Sequence, residues 1–278
     1  FYNPNPIGAH DSVVYIVTRA TLGDVVRSLH AWAATAMVAS LVAHLAVVFV
    51  RRCYVRPREV TWWTGAGMAA AVFLLVVTGT VLRYDQEGFE ALAHVRAGAE
   101  LVGPLGAPFR EDVAPSAPVL ARVFQWHTSL LPLVLFGLLA LHLWLVRHLG
   151  LRAAEPPSVP FARHLRKLAG AACVLVAALG ALALLVPEDL GYPPVPGVEV
   201  TKPFWPLLWV YGLENLFGLH AMVWGPVAVF GFLALVPLLD REGRGRRRAL
   251  VAAGAGILAA ALGLGLYAAF APAQQHLM

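Results

Sequence analysis

His30 and His44 stand 14 residues apart, and His127 and His142 stand 15 apart, each pair inside a long apolar stretch. At about 100° per residue, 14 positions return to nearly the same face of a helix and 15 drift by about 60°. A rise near 1.5 Å per residue separates the members of each pair by roughly 21 Å along the helix. An ionisable side chain inside a bilayer is expensive and marks function by default, and imidazole is a standard axial ligand of haem iron. Two such helices can therefore hold two stacked haems, each between two imidazoles. A lone membrane histidine is explained equally well by a hydrogen bond to a neighbouring helix, but two matched pairs are not. The sequence has no C-x-x-C-H run, which excludes covalent c-type attachment. Cys53 and Cys173 lie in unrelated segments and supply neither a disulfide framework nor a C-x-x-C metal site.

The elements that carry these histidines must be membrane spans. Of 278 residues, 59% are apolar and only 13% charged, against about 25% charged in a soluble domain. Six stretches approach the 20 or so apolar residues that cross a bilayer: 28–50, 63–82, 124–147, 166–186, 216–238 and 248–270. Alternating β-barrel patterning is absent, so the expected fold is an all-α integral membrane protein of six transmembrane helices, with the haem-binding bundle built on its front half. Fourteen of the 21 Lys/Arg fall in the linkers after spans 1, 3 and 5, with only Glu59, Glu155, Asp240 and Glu242 beside them. The positive-inside rule makes those linkers cytoplasmic and puts both termini and the 83–123 and 187–214 loops outside. The basic balance thus reports insertion, not a nucleic-acid partner. Residues 1–24 contain no signal peptide; Asn3-Pro4-Asn5-Pro6 reads as a turn and 11–22 as a short surface helix. Pro156, Pro157 and Pro160 divide the chain into a dihaem unit over 25–150 and a three-span unit over 151–278, with a second irregular stretch from Pro187 to Pro196.

Gly65 and Gly79 on span 2 are again 14 apart, leaving missing side chains at both haem depths for a flat macrocycle to approach; taken alone, the pair is better explained by ordinary small-residue helix packing. Arg27 and Arg122, near His30 and His127, are candidates to pair with haem propionates. Trp62 and Trp63 read as an aromatic belt. His220 has no partner at the right spacing and reads as structural. His10, His94, His148, His164 and His276 fall in loops or at termini and read as solvated.

The segments around these residues resemble the cytochrome b subunit of quinol-oxidising bc-type complexes. The resemblance rests on Arg27-Ser28-Leu29-His30, Pro57 to Trp62, Thr78-Gly79 with Asp85-Gln86, and Arg122 to His127 with Pro132. It is strong over 25–147 and weaker after 160, where Val159-Pro160-Phe161 and Pro203-Phe204-Trp205 are similar to the family's back half. The 15-residue spacing is similar to the split photosynthetic form, whose subunit IV matches that half. The resemblance implies two non-covalent b haems, with His30 and His127 as iron ligands near the outer side and His44 and His142 near the cytoplasm. It also implies an outer quinol pocket, a second quinone site, and partners such as a Rieske-type iron–sulfur protein and a cytochrome c, in a dimeric quinol–cytochrome c oxidoreductase-like complex; a bacterial inner membrane is the simplest fit to the fused chain. The subunit would not be active alone.

Three departures bear on that reading. The family carries a span before the first haem helix, whereas Phe1 to Pro6 resemble the loop after it. The expectation is that this span is cleaved, missing from the sequence or supplied by another chain. The family's Pro-Glu-Trp-Tyr is Pro203-Phe204-Trp205-Pro206 here, so the glutamate that takes a quinol proton is absent, with Glu214 a weak substitute. Its Pro-Trp before Asp-Gln is Arg83-Tyr84. The rival reading is therefore a dihaem conduit whose outer quinol site is not functional. A transporter or purely structural subunit would leave the four histidines without purpose.

Overall fold

The computed structural model describes residues 1–150, 161–240 and 247–277. Among the described residues the fold is all helical: α1 (Ala9–Thr18), α2 (Gly23–Val50), α3 (Glu59–Arg83), α4 (Gln86–Leu101), α5 (Val119–Gln125), α6 (Leu131–Leu149), α7 (Phe161–Leu185), α8 (Leu208–Phe217), α9 (Leu219–Leu239) and α10 (Arg247–Phe270). Six helical stretches are long and apolar enough to cross a membrane, at 23–50, 59–83, 119–149, 165–185, 219–239 and 247–270. Each lies within five residues of its expected ends. The protein is a multi-pass integral membrane protein. Arg152, Glu155, Pro156, Pro157, Val159, Pro160, Arg241, Glu242, Arg244 and Arg246, and the side chains of Phe161 and His164, lie outside the described residues.

Local chemistry accounts for the differences from the expected pattern. The surface helix expected over 11–22 is Ala9–Thr18, because Leu22 takes a left-handed φ of 58° and turns the chain into α2. The span expected from 216 starts at Leu219. Gly218, at φ +80°, breaks the helix there and leaves Leu208–Phe217 as a separate element. The 83–123 stretch is not a simple loop, since Asp85 caps a helix by accepting from the Gly88 N–H at 3.0 Å.

Between α5 and α6 the chain makes one π-helical turn, Trp126–Leu130. Pro132 has no N–H for the Thr128 carbonyl, and its ring crowds that carbonyl. Leu131 instead donates to the carbonyl of Trp126, five residues back. The turn absorbs one residue, so the 15-residue spacing of His127 and His142 keeps both on one side where a regular helix would rotate them apart.

α3 is the central helix. It packs along α6 and against α4 and α9, and α10 packs along α8. α2 barely touches α3 and leans on α7, with its face toward α6 largely open. Two cores brace the bundle. One joins α1, α3, α4 and α5 through Ala9, Val81, Leu92, Leu120 and Val123. The other lies at the end bearing the arginine-rich linkers and joins Phe49, Tyr54, Trp62, Leu233 and Val236. Trp62 is thus a core residue rather than part of a lipid-facing belt, and its Nε1–H donates to the Leu233 carbonyl at 2.7 Å. Asp240 is buried beside it and held by Arg52 at 2.8 Å and Tyr54 at 3.0 Å. That network pins the linker after α2 to the end of α9.

Candidate functional site

The four spanning histidines face one another across the open space between α2 and the α5–α6 unit. The rings of His30 and His127 have centroids 6.1 Å apart. Two imidazoles on one metal, with bonds of about 2 Å each, place their centroids at roughly that separation. His44 and His142 lie close enough to interact electrostatically at the second depth.

Each histidine on the α5–α6 unit is oriented by a threonine of α3. Thr78 Oγ1 donates to the Leu74 carbonyl at 2.7 Å and lies 2.9 Å from His127 Nδ1. Thr64 Oγ1 donates to the Thr61 carbonyl at 2.8 Å and lies 3.0 Å from His142 Nδ1. A hydroxyl has one proton. With that proton spent on a carbonyl, the oxygen can only accept, so the network assigns the N–H to Nδ1 in both rings. In the neutral ring Nε2 then carries the free lone pair, the form that binds iron, and such a partner on the other nitrogen fixes ring orientation and raises basicity.

The glycines next to these threonines make room for the rings. A Cβ on Gly79 would lie 3.0 Å from His127 Cε1, and one on Gly65 would lie 3.5 Å from His142 Cε1. The Thr-Gly pairs 64–65 and 78–79 are therefore one device repeated after 14 residues. The Gly spacing is legible in the sequence, where Thr78 stands only as part of a resembling segment and Thr64 carries no signal of its own. With neutral Nδ1–H imidazoles, open space on α2 and side-chain-free positions on α3, the residues present fit two haems.

Arg27 and Arg122 sit at the same end as His30 and His127, but their guanidiniums are engaged by backbone. Arg27 donates to the Glu188 and Asp189 carbonyls at 2.8 Å each, and Arg122 to Pro108 at 3.0 Å and Arg110 at 2.7 Å. They clamp the loops over the first histidine pair. His220 is exposed near the start of α9, and His148 stacks on Trp144.

A second feature lies at the end of the bundle opposite the arginine-rich linkers. A partly open cavity of about 740 Å³ is lined by α3, α4, α8, α9 and the 199–203 strip, with walls that include Phe73, Val77, Met222 and Phe230. Its polar groups include Glu87, Glu90, His94, Glu199 and Glu214. Phe204 leaves a mark here through its backbone, whose N–H donates to Glu87 Oε1 at 2.7 Å. Burial pushes the Glu87 carboxyl up to about 7, with Arg83 at 3.0 Å pulling the other way. Glu90 is saturated by Gln86, Val200 and Thr201. Glu214 is buried, and its oxygens make no aligned hydrogen bond.

His94 and His276, expected to be solvated, are buried around this cavity. Their side chains are only 15% and 13% exposed. His94 lies on the inner face of α4, and His276 is drawn in because Glu199 accepts its backbone N–H at 2.8 Å. Burial works against charge on His94, but the nearby Glu214 and Glu199 carboxylates outweigh it and hold its pKa above the ordinary value. No local pattern announces this pairing, because His94 and His276 lie 77 or more residues from the glutamates they meet.

Comparison with known proteins fits this geometry. A family model described as cytochrome b/b6/petB matches residues 1–150. The chain is also similar to a solved structure titled "Hyperthermophilic respiratory Complex III", with a TM-score of 0.74 and 24% identity over 98% of this chain and 78% of that one. At this identity the likeness is one of fold.

Proposed function

The chain belongs to the cytochrome b family, which implies haem binding and electron transport in a membrane, and on that premise we propose that it conducts electrons across the bilayer through two b haems. His30 and His127 hold one haem near the outer side, and His44 and His142 hold the other near the cytoplasm. The observation that carries this reading is the repeated threonine–histidine contact, which leaves Nε2 of His127 and of His142 free at two depths facing a second histidine helix. Iron between two imidazoles cycles between ferric and ferrous states, so each bound haem supplies a one-electron relay. The protein's part is to fix distance, tautomer and surroundings. Thr64 and Thr78 set the protons, Gly65 and Gly79 let the rings approach α3, and Arg27 and Arg122 add positive charge at the outer depth.

In this reading the unit over 25–150 holds the haems, and the unit over 151–278 closes the outer cavity. The arginine-rich linkers lie in the cytoplasm of a bacterial inner membrane. The cavity has the volume and apolar lining of a small-molecule site and suits a quinone, with Glu214 the carboxylate best placed to take a proton from quinol. Partners of the kind the resemblance implies, an iron–sulfur protein and a cytochrome c in a dimeric complex, would receive the electrons.

A second reading is favoured by one observation. Phe204 stands where the family's proton-accepting glutamate is expected, so the outer cavity would not oxidise quinol and the chain would be a conduit for another redox enzyme. The isolated complex distinguishes the two. After quinol is added and an oxidant pulsed, transient reduction of b haem means that electrons divide at an outer quinol site. Simple oxidation of the haems means a conduit. A haem content other than two non-covalent b haems per chain would overturn the shared core of both readings.

A further inference from the structure

Four side chains at the edge of the outer cavity form a cluster that haem binding does not use. His94 Nε2 lies 3.3 Å from Glu199 Oε1 and 3.2 Å from Glu214 Oε2. His276 Nδ1 lies 3.3 Å from the same Glu199 oxygen. One ligand atom from each of His94, Glu199 and His276 falls within 4.8 Å of the others. The four residues come from α4, the strip before α8, α8 itself and the segment after α10, so only the tertiary fold assembles them.

The proton arrangement of His94 makes the cluster informative. Its Nδ1 lies 2.8 Å from the Glu90 carbonyl. A carbonyl only accepts, so Nδ1 carries the N–H, and a neutral ring would aim the Nε2 lone pair at two carboxylates. Three electron-rich atoms in contact need a cation among them, either a proton or a metal ion. Nε2 and both Glu214 oxygens are buried without an aligned hydrogen bond, and the Glu214 side chain is only 1% exposed, so a cation shared by both carboxylates satisfies atoms that one N–H could not. Three of the six separations among the four ligand atoms, at 3.2–3.3 Å, have the edge length of a tetrahedron whose centre lies about 2.0–2.1 Å from each nitrogen or oxygen ligand, and His94 and His276 lie within 4.8 Å of each other.

We propose that His94, Glu199, Glu214 and His276 bind a divalent transition-metal ion of the zinc class. Two imidazoles and two carboxylates suit zinc, whereas calcium and magnesium prefer oxygen ligands alone. The supporting contacts are already present. The Glu90 carbonyl fixes the His94 tautomer, and the second oxygen of Glu199 accepts the backbone N–H groups of His276 at 2.8 Å and Leu277 at 3.1 Å. The ion fastens the segment after α10 to α4 and α8 and closes that side of the cavity. It also engages the Glu214 carboxylate, so metal loading and proton acceptance by Glu214 exclude each other. The site does not depend on what the cavity binds.

The test uses the purified haem-loaded complex, stripped with a chelator and titrated with Zn²⁺ by equilibrium dialysis. Saturation at one zinc per chain is expected, weakened by at least about 100-fold in His276→Gln and in Glu214→Gln, with the haem spectrum unchanged as the check on folding. The zinc-edge X-ray absorption of the wild-type complex should show four nitrogen or oxygen ligands near 2.0 Å, with an imidazole signature. No saturable zinc, affinity unchanged in both variants, or a shell that lacks imidazole or contains sulfur would each overturn the proposal. Where a variant loses its haem, the wild-type absorption decides.

Discussion

His127 and His142 within the bundle and His94 at its outer end each commit Nδ1 as a donor, to Thr78, Thr64 and the Glu90 carbonyl respectively. Each therefore turns Nε2 toward something else, and the two regions differ in what waits there. Around the spanning pair the neighbour is a second imidazole, and among the described residues neither ring forms an ion pair. A neutral ring is comfortable, and the free lone pair suits a metal already buried in an apolar macrocycle. Around His94 the same geometry faces Glu199 and Glu214, and the site demands positive charge. One tautomer-fixing device yields two chemistries because counter-charge, not the histidine, differs.

The sharpest way to break that comparison is to remove ligands one depth at a time. On the two-haem proposal, His142→Leu should abolish the haem at the His44–His142 depth and roughly halve the b-haem absorbance, and His127→Leu should do the same at the His30–His127 depth. Loss of both haems, or of neither, from a folded variant would show that the two depths are not independent sites.

The next effect belongs to the cavity region and is read in pH. Glu87 has its folded pKa raised from 4.5 to about 7 by burial. A raised carboxyl favours the folded state fully below pH 4.5, and that contribution is lost as pH climbs through 7. At about 1.4 kcal/mol per unit the change is on the order of 3 kcal/mol. Melting of the complex in detergent should therefore fall between pH 5 and 8 relative to Glu87→Gln, and parallel curves would show that Glu87 is not protonated in the fold.

Smaller effects probe the threonines. Thr78→Val removes the acceptor for His127 Nδ1–H, a loss of about 1–3 kcal/mol for a buried donor. The less basic imidazole should raise the potential of the outer haem alone in a redox titration, and Thr64→Val should do so for the inner haem alone. A shift of the same haem by both variants would refute the paired assignment. Smallest is the contrast between the glycines. Gly79→Ala places a methyl 3.0 Å from His127 Cε1 and must push the ring, whereas Gly65→Ala meets His142 at an ordinary 3.5 Å. The outer haem's low-temperature EPR signal should move in the first variant, and the inner one should stay in place in the second.

Much of this was legible from residue order alone. Six spans, the histidine pairs and the Gly65/Gly79 repeat are periodic signals, because a bilayer forces helices and a helix converts spacing into direction. The π turn at Trp126–Leu130 has a local cause in Pro132, yet its value lies in restoring a direction that the 15-residue spacing had lost. Trp62 looked like a membrane belt because sequence shows that it is aromatic and near a span end, not which way it points. His94 and His276 looked solvated because neither has a chemical neighbour within its own segment.

What the sequence by itself determined is the transmembrane, haem-binding frame, since hydropathy and helical period act locally along the chain. The tertiary structure alone decided which protons sit on which histidines, that Arg27 and Arg122 clamp loops, and that two solvated-looking histidines close around Glu199 and Glu214. Most of those outcomes depend on contacts between residues 49 to 182 positions apart, although Arg122 meets Pro108 and Arg110 only 14 and 12 positions away and His94 meets Glu90 only four away. Burial there sets charge and hydrogen bonding through whatever packs alongside, and no stretch of sequence carries its own neighbours.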